Sequence, residues 1–193
     1  MATRSTALGS TRIMIMASLG IVINIVLGTF VQGLQIPLIF LDTIGTIFVA
    51  ATLGPIAGAM TGGLTNIIQG MITTPKNIPF AIVSIVVGII VGLIAKKWNF
   101  GIKTAIVTGV ILAIAAPAIG APIAAFLFDG VTGGGTDAIL MWLRASGQRL
   151  LPSVFITRVI GNFIDKIVSC ILVSILIVSL PTNFKIGKET RNV

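Results

Sequence analysis

Long apolar stretches separated by short polar or proline-containing segments recur along the chain. They cover residues 13–30, 38–53, 55–71, 80–95, 104–128 and 154–180. A helix needs about 20 mostly apolar residues to cross the hydrocarbon core of a bilayer, and these stretches approach or exceed that length. The pattern predicts an all-α integral membrane protein, with residues 1–193 forming a single membrane domain of six transmembrane helices.

Small or polar residues recur at every fourth position of the third stretch, at positions 54, 58, 62, 66 and 70. This spacing places them along one side of a helix. In lipid, small residues let helix backbones approach closely, so we expect this helix to lie deep in the bundle. Packing alone accounts for the glycines, whereas Asn66 and Gln69 fit a structural role and a ligand contact equally well. The first stretch carries a similar stripe, Gly20, Asn24 and Gly28.

Prolines and glycines mark the predicted interruptions. Pro117, Gly120 and Pro122 predict a kink or a break in the fifth helix. Residues 129–152 form the longest polar connection, in which a glycine-rich loop precedes a short amphipathic helix. Thr136 or Asp137 is the expected N-cap of that helix.

Composition excludes a water-soluble domain, because 55% of the 193 residues are hydrophobic and only 9% are charged. The net charge of +8 is explained by the positive-inside rule. The tails and the loop after the fourth span carry most of the basic residues: Arg4, Arg12, Lys96, Lys97, Lys103, Lys185, Lys188 and Arg191. The opposite loops carry Lys76, Arg144 and Arg149. Both termini are therefore expected in the cytoplasm, with the protein in the cell membrane, and nucleic-acid binding is not indicated.

The residue types that carry most enzyme chemistry are scarce. Histidine is absent, which removes the commonest general base and metal ligand. Residues 133–136 are glycine-rich but lack the lysine of a phosphate-binding loop. We expect no catalytic site, no metal and no cofactor, and the chain shows no ATP-binding domain that would energise uptake.

Ionisable side chains inside the spans are functional candidates, because each costs ~2.5–3.5 kcal/mol at the bilayer centre. Asp42, near the outer end of the second span, either caps that helix or binds a ligand. Arg158, Asn162 and Asp165 share one face of the sixth span. For Arg158 and Asn162, ligand contact and an internal polar network are both open, whereas for Asp165 and Lys166 an internal salt-bridge network is favoured over ligand contact.

Several segments resemble the substrate-binding S subunits of energy-coupling factor (ECF) transporters: residues 36–46 (IPLIFLDTIGT), 53–59 (LGPIAGA), Thr65-Asn66 and 161–166 (GNFIDK). The length, the six spans and the basic C-terminal tail are also similar. The resemblance implies a subunit that captures a vitamin outside the cell and works with a membrane-embedded coupling subunit and two ATPase subunits. Family members commonly present an Ala-x-x-x-Ala pair to that partner. Here Ile21 follows Ala17, so Gly20, Asn24 and Gly28 are the nearest docking candidates.

The ligand site implied by the resemblance lies among the outer loops and the outer halves of helices four to six. Its candidate residues are Asn77, Asp129, Asp137, Trp142, Arg144, Arg158 and Asn162, together with Asp42. Trp142 fits stacking on a flat ring or anchoring at the membrane interface. A small ring of pyridoxine or hydroxymethylpyrimidine type is favoured, with cobalamin next because the glycine loop has room to open. The alternative functions are a stand-alone small carrier or channel and, with almost no residue support, a membrane enzyme.

Overall fold

A computed structural model describes the backbone of residues 2–179 and the side chains of residues 11–179. The predicted basic C-terminal tail and the end of the sixth span lie outside these residues, as does the side chain of Arg4. The described helices are α1 (Ala2–Gly33), α2 (Ile44–Leu53), α3 (Pro55–Ile72), a 3₁₀ helix (Pro75–Phe80), α4 (Ala81–Lys97), α5 (Ile102–Phe128), α6 (Asp137–Ala145) and α7 (Leu150–Ser179). Residues 2–179 contain no strand, so the all-α class is confirmed.

Four helical segments of the described chain are long and apolar enough to cross a membrane. They are Thr11–Gly33, Pro75–Lys97, Ile102–Phe128 and Leu150–Ser179. Their exposed surfaces carry large apolar side chains such as Val26, Leu93 and Ile114, which is the surface that lipid favours. The protein is therefore helical and membrane-embedded.

The third helix packs its glycine stripe against neighbouring helices, as the spacing predicts, while Ile56 and Met60 on its other face are exposed. A Cβ added at Gly58 would collide with Ala50 of α2, and one added at Gly62 would collide with Ser84 of α4. On the facing side, Gly88 of α4 lies directly against the backbone of α3. The glycines thus permit close contact on both sides of α3, and its predicted packing is confirmed.

The stripe on α1 also faces inward. A Cβ at Gly20 would meet Val49 of α2, and Gly28 lies beside Asp42. Asn24 is 0% exposed, and its Nδ2 donates to Thr46 Oγ1 at 2.8 Å and to Thr65 Oγ1 at 3.1 Å. The predicted docking stripe is therefore covered by α2 and α3 and is not available to a partner in this structure.

The second predicted span differs most from the structure. α2 begins at Ile44 rather than at residue 38, and its length of roughly 15 Å is about half the thickness of a hydrocarbon core. Residues 38–43 are non-helical, and Leu38 and Leu41 have φ values of 68° and 51°. Thr43 occupies the N-cap position of α2, so the capping role considered for Asp42 is wrong.

The fifth helix is continuous from Ile102 to Phe128 despite its two prolines, so the break considered there is absent. Small residues of α5, including Ala113 and Ala124, are buried, and this helix packs mainly along α7. Neighbouring helices can hold a proline-containing transmembrane helix together in this way. The short amphipathic helix α6 is confirmed, with Thr136 at its N-cap position and Leu140 on its buried side.

Candidate functional site

A cavity of about 150 Å³ lies at one end of the bundle. It is surrounded by the C-terminal parts of α1, α3 and α5, the N-terminal parts of α4 and α7, and the connecting segments around residues 36–43 and 132–135. Its polar lining residues are Gln32, Asp42, Thr43, Asn66, Gln69, Asn77, Ser84, Thr132, Arg158, Asn162 and Lys166. The four longest apolar segments border the cavity with alternate ends: α1 and α5 with their C-terminal parts, and α4 and α7 with their N-terminal parts. In chain order, these helices therefore run in alternating directions.

The size of the cavity limits what it can hold. A water molecule needs roughly 10–15 Å³ of such space, so the cavity has room for about ten waters. That space suits a molecule with one ring. Phe40 and Phe80 also line the cavity and supply flat apolar surface for such a ring.

A buried charge network forms one wall of the cavity. Lys166 Nζ donates to Asp165 Oδ2 at 2.7 Å, to Thr43 Oγ1 at 2.9 Å and to Asp42 Oδ1 at 3.3 Å. The three donors of the ammonium group are therefore all used. The predicted network of Asp165 and Lys166 is confirmed, and Asp42 joins it from the segment before α2.

Asp165 also holds the irregular segment before α2 in place. Its Oδ1 accepts the backbone N–H of Phe40 and that of Leu41, both at 2.8 Å. These two amides have no helical partner, and unpaired backbone groups are costly inside a membrane. One side chain of α7 thus satisfies the backbone of a segment more than 120 positions earlier.

Arg158 lines the cavity from α7, about two helical turns before Lys166 on the same helix. Its guanidinium is stacked 4.9 Å from the centre of the Phe80 ring, and Nη2 donates to Thr132 Oγ1 at 3.2 Å. Among the side chains of residues 11–179, no carboxylate comes within ion-pair distance of it. Most of its five N–H donors therefore have no partner within the described chain.

Three side-chain amides add hydrogen-bond acceptors. Asn66 Nδ2 donates to Ser84 Oγ, Gln69 Nε2 to Thr29 Oγ1 at 3.3 Å, and Asn162 Nδ2 to the Arg158 carbonyl at 2.8 Å. The first of these bonds confirms that Asn66 faces a neighbouring helix. Over the described residues, no donor binds the carbonyl oxygen of these three amides, which leaves those oxygens for a ligand.

Four of the eight predicted ligand residues line this cavity, namely Asp42, Asn77, Arg158 and Asn162. No protein-family model, curated protein or solved structure matches the chain. The geometry of the cavity is therefore the basis for assigning a function.

The other four predicted ligand residues do not line the main cavity. Asp129 is exposed at the C-cap of α5, and Trp142 is 68% exposed on the outer side of α6. Among the described residues, Arg144 donates a side-chain hydrogen bond only to the Gln148 carbonyl, at 3.5 Å. Asp137 stabilises the cavity-lining loop instead, because its carboxylate accepts the N–H of Gly133 at 2.7 Å.

Sequence reasoning missed several lining residues. Thr43, Ser84 and Thr132 each bring a hydroxyl to the cavity, and Phe40 and Phe80 bring rings. Hydroxyl and phenyl groups are common in membrane helices, so their types gave no signal. Arg158 and Asn162, which share one face of α7, were both predicted from the sequence. Arg158 was predicted because a charge within a span is unusual.

Proposed function

We propose that this chain is the substrate-binding subunit of an ECF-type ABC importer in the cell membrane. It captures a vitamin or a vitamin precursor outside the cell, and a membrane-embedded coupling subunit with two ATPase subunits drives uptake. In this proposal, α1, α2 with the segment before it, α3, α4, α5 and α7 form six spans, which leave both termini on one side of the membrane. The positive-inside rule assigns that side to the cytoplasm. The cavity then opens towards the exterior.

One observation carries the proposal: among the described residues, the cavity ends against closely packed side chains rather than an open path. Beyond it, Ile47, Val91, Leu112 and Val173 are each 0% exposed, and the buried polar side chain of Asn24 hydrogen-bonds to those of Thr46 and Thr65. A closed binding site suits a subunit that delivers its ligand to a partner complex. A channel requires a continuous path that this packing does not provide, whereas a stand-alone carrier exposes its site to one side at a time and is distinguished by the flux measurement below.

The cavity volume supports the choice of ligand class. A pyridoxine or hydroxymethylpyrimidine ring, with roughly ten to twelve non-hydrogen atoms, matches space for about ten waters. Cobalamin is several times larger and would require residues 132–135 to move aside. That loop is attached to its surroundings, because Gln35 Nε2 donates to the Gly133 carbonyl at 3.2 Å and Lys76 Nζ to the Val131 carbonyl at 3.2 Å.

Co-purification from native membranes and a thermal-shift screen of the B vitamins in detergent test this function together. We expect an associated ATPase complex and a raised melting temperature with a small-ring vitamin. A protein that binds no vitamin and recovers no ATPase would contradict the proposal. Ligand flux through liposomes that contain the chain alone would favour the stand-alone carrier.

A further inference from the structure

We propose that the cavity recognises a one-ring zwitterion, whose anionic group binds Arg158 and whose protonated ring nitrogen binds Asp42. This inference rests on the proposed function and specifies the chemistry of its ligand. It follows from the way in which the charges around the cavity are paired and left unpaired.

Arg158 supplies the positive pole. It lies in a membrane-spanning helix, lines the cavity and has a hydroxyl and a phenyl ring as its described contacts. A guanidinium in such surroundings gains most from an anionic oxygen, because charge-assisted hydrogen bonds are the stronger ones. Its planar fork can bind a carboxylate or a phenolate oxygen while Phe80 covers one face of the guanidinium.

Asp42 supplies the negative pole. Lys166 is shared between two carboxylates, and it lies closer to Asp165, at 2.7 Å, than to Asp42, at 3.3 Å. The three groups together carry an excess of one negative charge. The Asp42 side chain is 44% exposed and lines the cavity, so this excess is available to a cationic N–H.

The two poles exclude other charge types. A purely anionic ligand would satisfy Arg158 but add a negative charge near Asp42, and a cation would do the reverse. A neutral ligand would leave both charges without an ionic partner once it displaced the water around them, which is costly. The free carbonyl oxygens of Asn66, Gln69 and Asn162 also favour a ligand that brings N–H or O–H donors.

A set of pyridine probes of similar size separates these cases at neutral pH. Pyridoxine carries a pyridinium and a phenolate, nicotinate is an anion, nicotinamide is neutral, and 1-methylnicotinamide is a cation. Dissociation constants are measured by calorimetry on the purified full-length chain in detergent. We expect pyridoxine to bind at least tenfold more tightly than each of the other three probes.

Two substitutions test whether Arg158 and Asp42 bind the two charges of the ligand. Arg158→Gln is expected to weaken pyridoxine binding roughly 10- to 100-fold, as is Asp42→Asn, because each removes charge-assisted hydrogen bonds. Arg144→Gln and Asp129→Asn remove the same charges outside the cavity and are expected to leave the affinity within twofold. Melting curves without ligand show whether each variant is folded. If Asp42→Asn fails to fold, Asp42→Ser, which also removes the charge, replaces it, and a loss of the preference for pyridoxine over nicotinate is then expected.

Several results would overturn the zwitterion. One is equal binding of nicotinamide and pyridoxine, and another is pyridoxine binding that neither cavity substitution alters. Tight binding of neutral hydroxymethylpyrimidine, unaffected by both substitutions, would overturn it while preserving the proposed function. Binding of none of the four pyridine probes would also overturn it, and ATPase co-purification then decides separately whether the importer function stands.

A zwitterionic lipid headgroup has the same chemistry as the proposed ligand, and the measurement is repeated in nanodiscs to distinguish the two sources. Pyridoxine affinity that is the same with and without phosphatidylethanolamine supports a soluble ligand. Competition by phosphatidylethanolamine would overturn the assignment to a soluble ring.

Discussion

Asp165→Asn is expected to loosen the segment before α2 and to destabilise the whole bundle. In the native chain, Oδ1 of Asp165 accepts two backbone N–H groups at 2.8 Å, and Oδ2 accepts Lys166 Nζ at 2.7 Å. Asparagine is nearly the same size and keeps one carbonyl oxygen for the two amides. The substitution therefore isolates the effect of the charge from the effect of shape.

The magnitude follows from the three bonds. A hydrogen bond to a charged group contributes ~1.5–3 kcal/mol and a neutral one ~0.5–1.5 kcal/mol, so the two amide bonds together lose about 2 kcal/mol. Lys166 keeps the more distant Asp42 as its only carboxylate among the described residues. The weaker pairing of Lys166 adds a loss of roughly another 1 kcal/mol, which is less than the ~3–5 kcal/mol lost when a buried pair is broken outright. We expect a loss of about 3 kcal/mol in the free energy of unfolding.

The single cysteine of the chain provides the assay. Cys170 is 0% exposed, so a thiol-reactive fluorophore labels it only when the bundle opens. For a chain of this size, about 3 kcal/mol corresponds to a melting midpoint lower by roughly 6–12 °C. Asp129→Asn, which changes an exposed carboxylate in the same way, is expected to leave the midpoint unchanged.

A double substitution tests whether charge imbalance is the cause. Lys166→Met alone leaves the buried carboxylate of Asp165 without its cation and is expected to destabilise the protein at least as much. In Asp165→Asn/Lys166→Met both charges are gone, so the combined loss is expected to be smaller than the sum of the two single losses. Additive losses, or an Asp165→Asn midpoint within about 1 °C of the native one, would refute the reasoning.

Three further outcomes are expected from single substitutions. Gly88→Ala should cost about 1–3 kcal/mol in the detergent melt, because its methyl group collides with the backbone of Gly58, whereas Gly101→Ala, with no described atom within 4 Å of its added Cβ, should be neutral. Asn24→Ala should lower the melting midpoint by several degrees, since it leaves the backbone N–H of Gly45 without its 2.7 Å acceptor at ~1–3 kcal/mol. Trp142→Ala should leave the pyridoxine dissociation constant within twofold, and a tenfold loss would restore its predicted role in ligand binding.

The helical class and the packing of α3 could be predicted because they depend on local patterns. Apolar length and small-residue spacing act within one helix, and the contacts of Gly58 and Gly62 follow from them. The role of the similar stripe on α1 could not be predicted, since spacing shows that a face is suited to close approach but not which helix approaches it. Gly20 and Asn24 meet helices of their own chain.

The site was harder to predict because it depends on contacts between distant segments. Before the start of α2 at Ile44, the backbone amides of Phe40 and Leu41 are bound by the distant Asp165, a contact that the sequence near them does not reveal. Trp142 was a reasonable candidate by residue type, but α6 turns Leu140 inward, and a residue two positions later on a helix faces well away from that side. Charge within the spans pointed to two residues that line the cavity, Asp42 and Arg158, and their role in ligand binding stays a prediction.

The irregular segment before α2 and the cavity depend on each other. Non-helical backbone at membrane depth is tolerated only where it is buried in protein or lines a polar space, and residues 38–43 meet this condition through Asp165 on one side and the cavity on the other. A regular helix from residue 38 would leave no need for the Asp165 acceptor and would fill part of the space that Phe40 and Asp42 now border. Asp165 therefore both holds residues 38–43 in place and keeps the Lys166 ammonium beside its own carboxylate. As a result, Asp42 is only partly neutralised at the cavity wall.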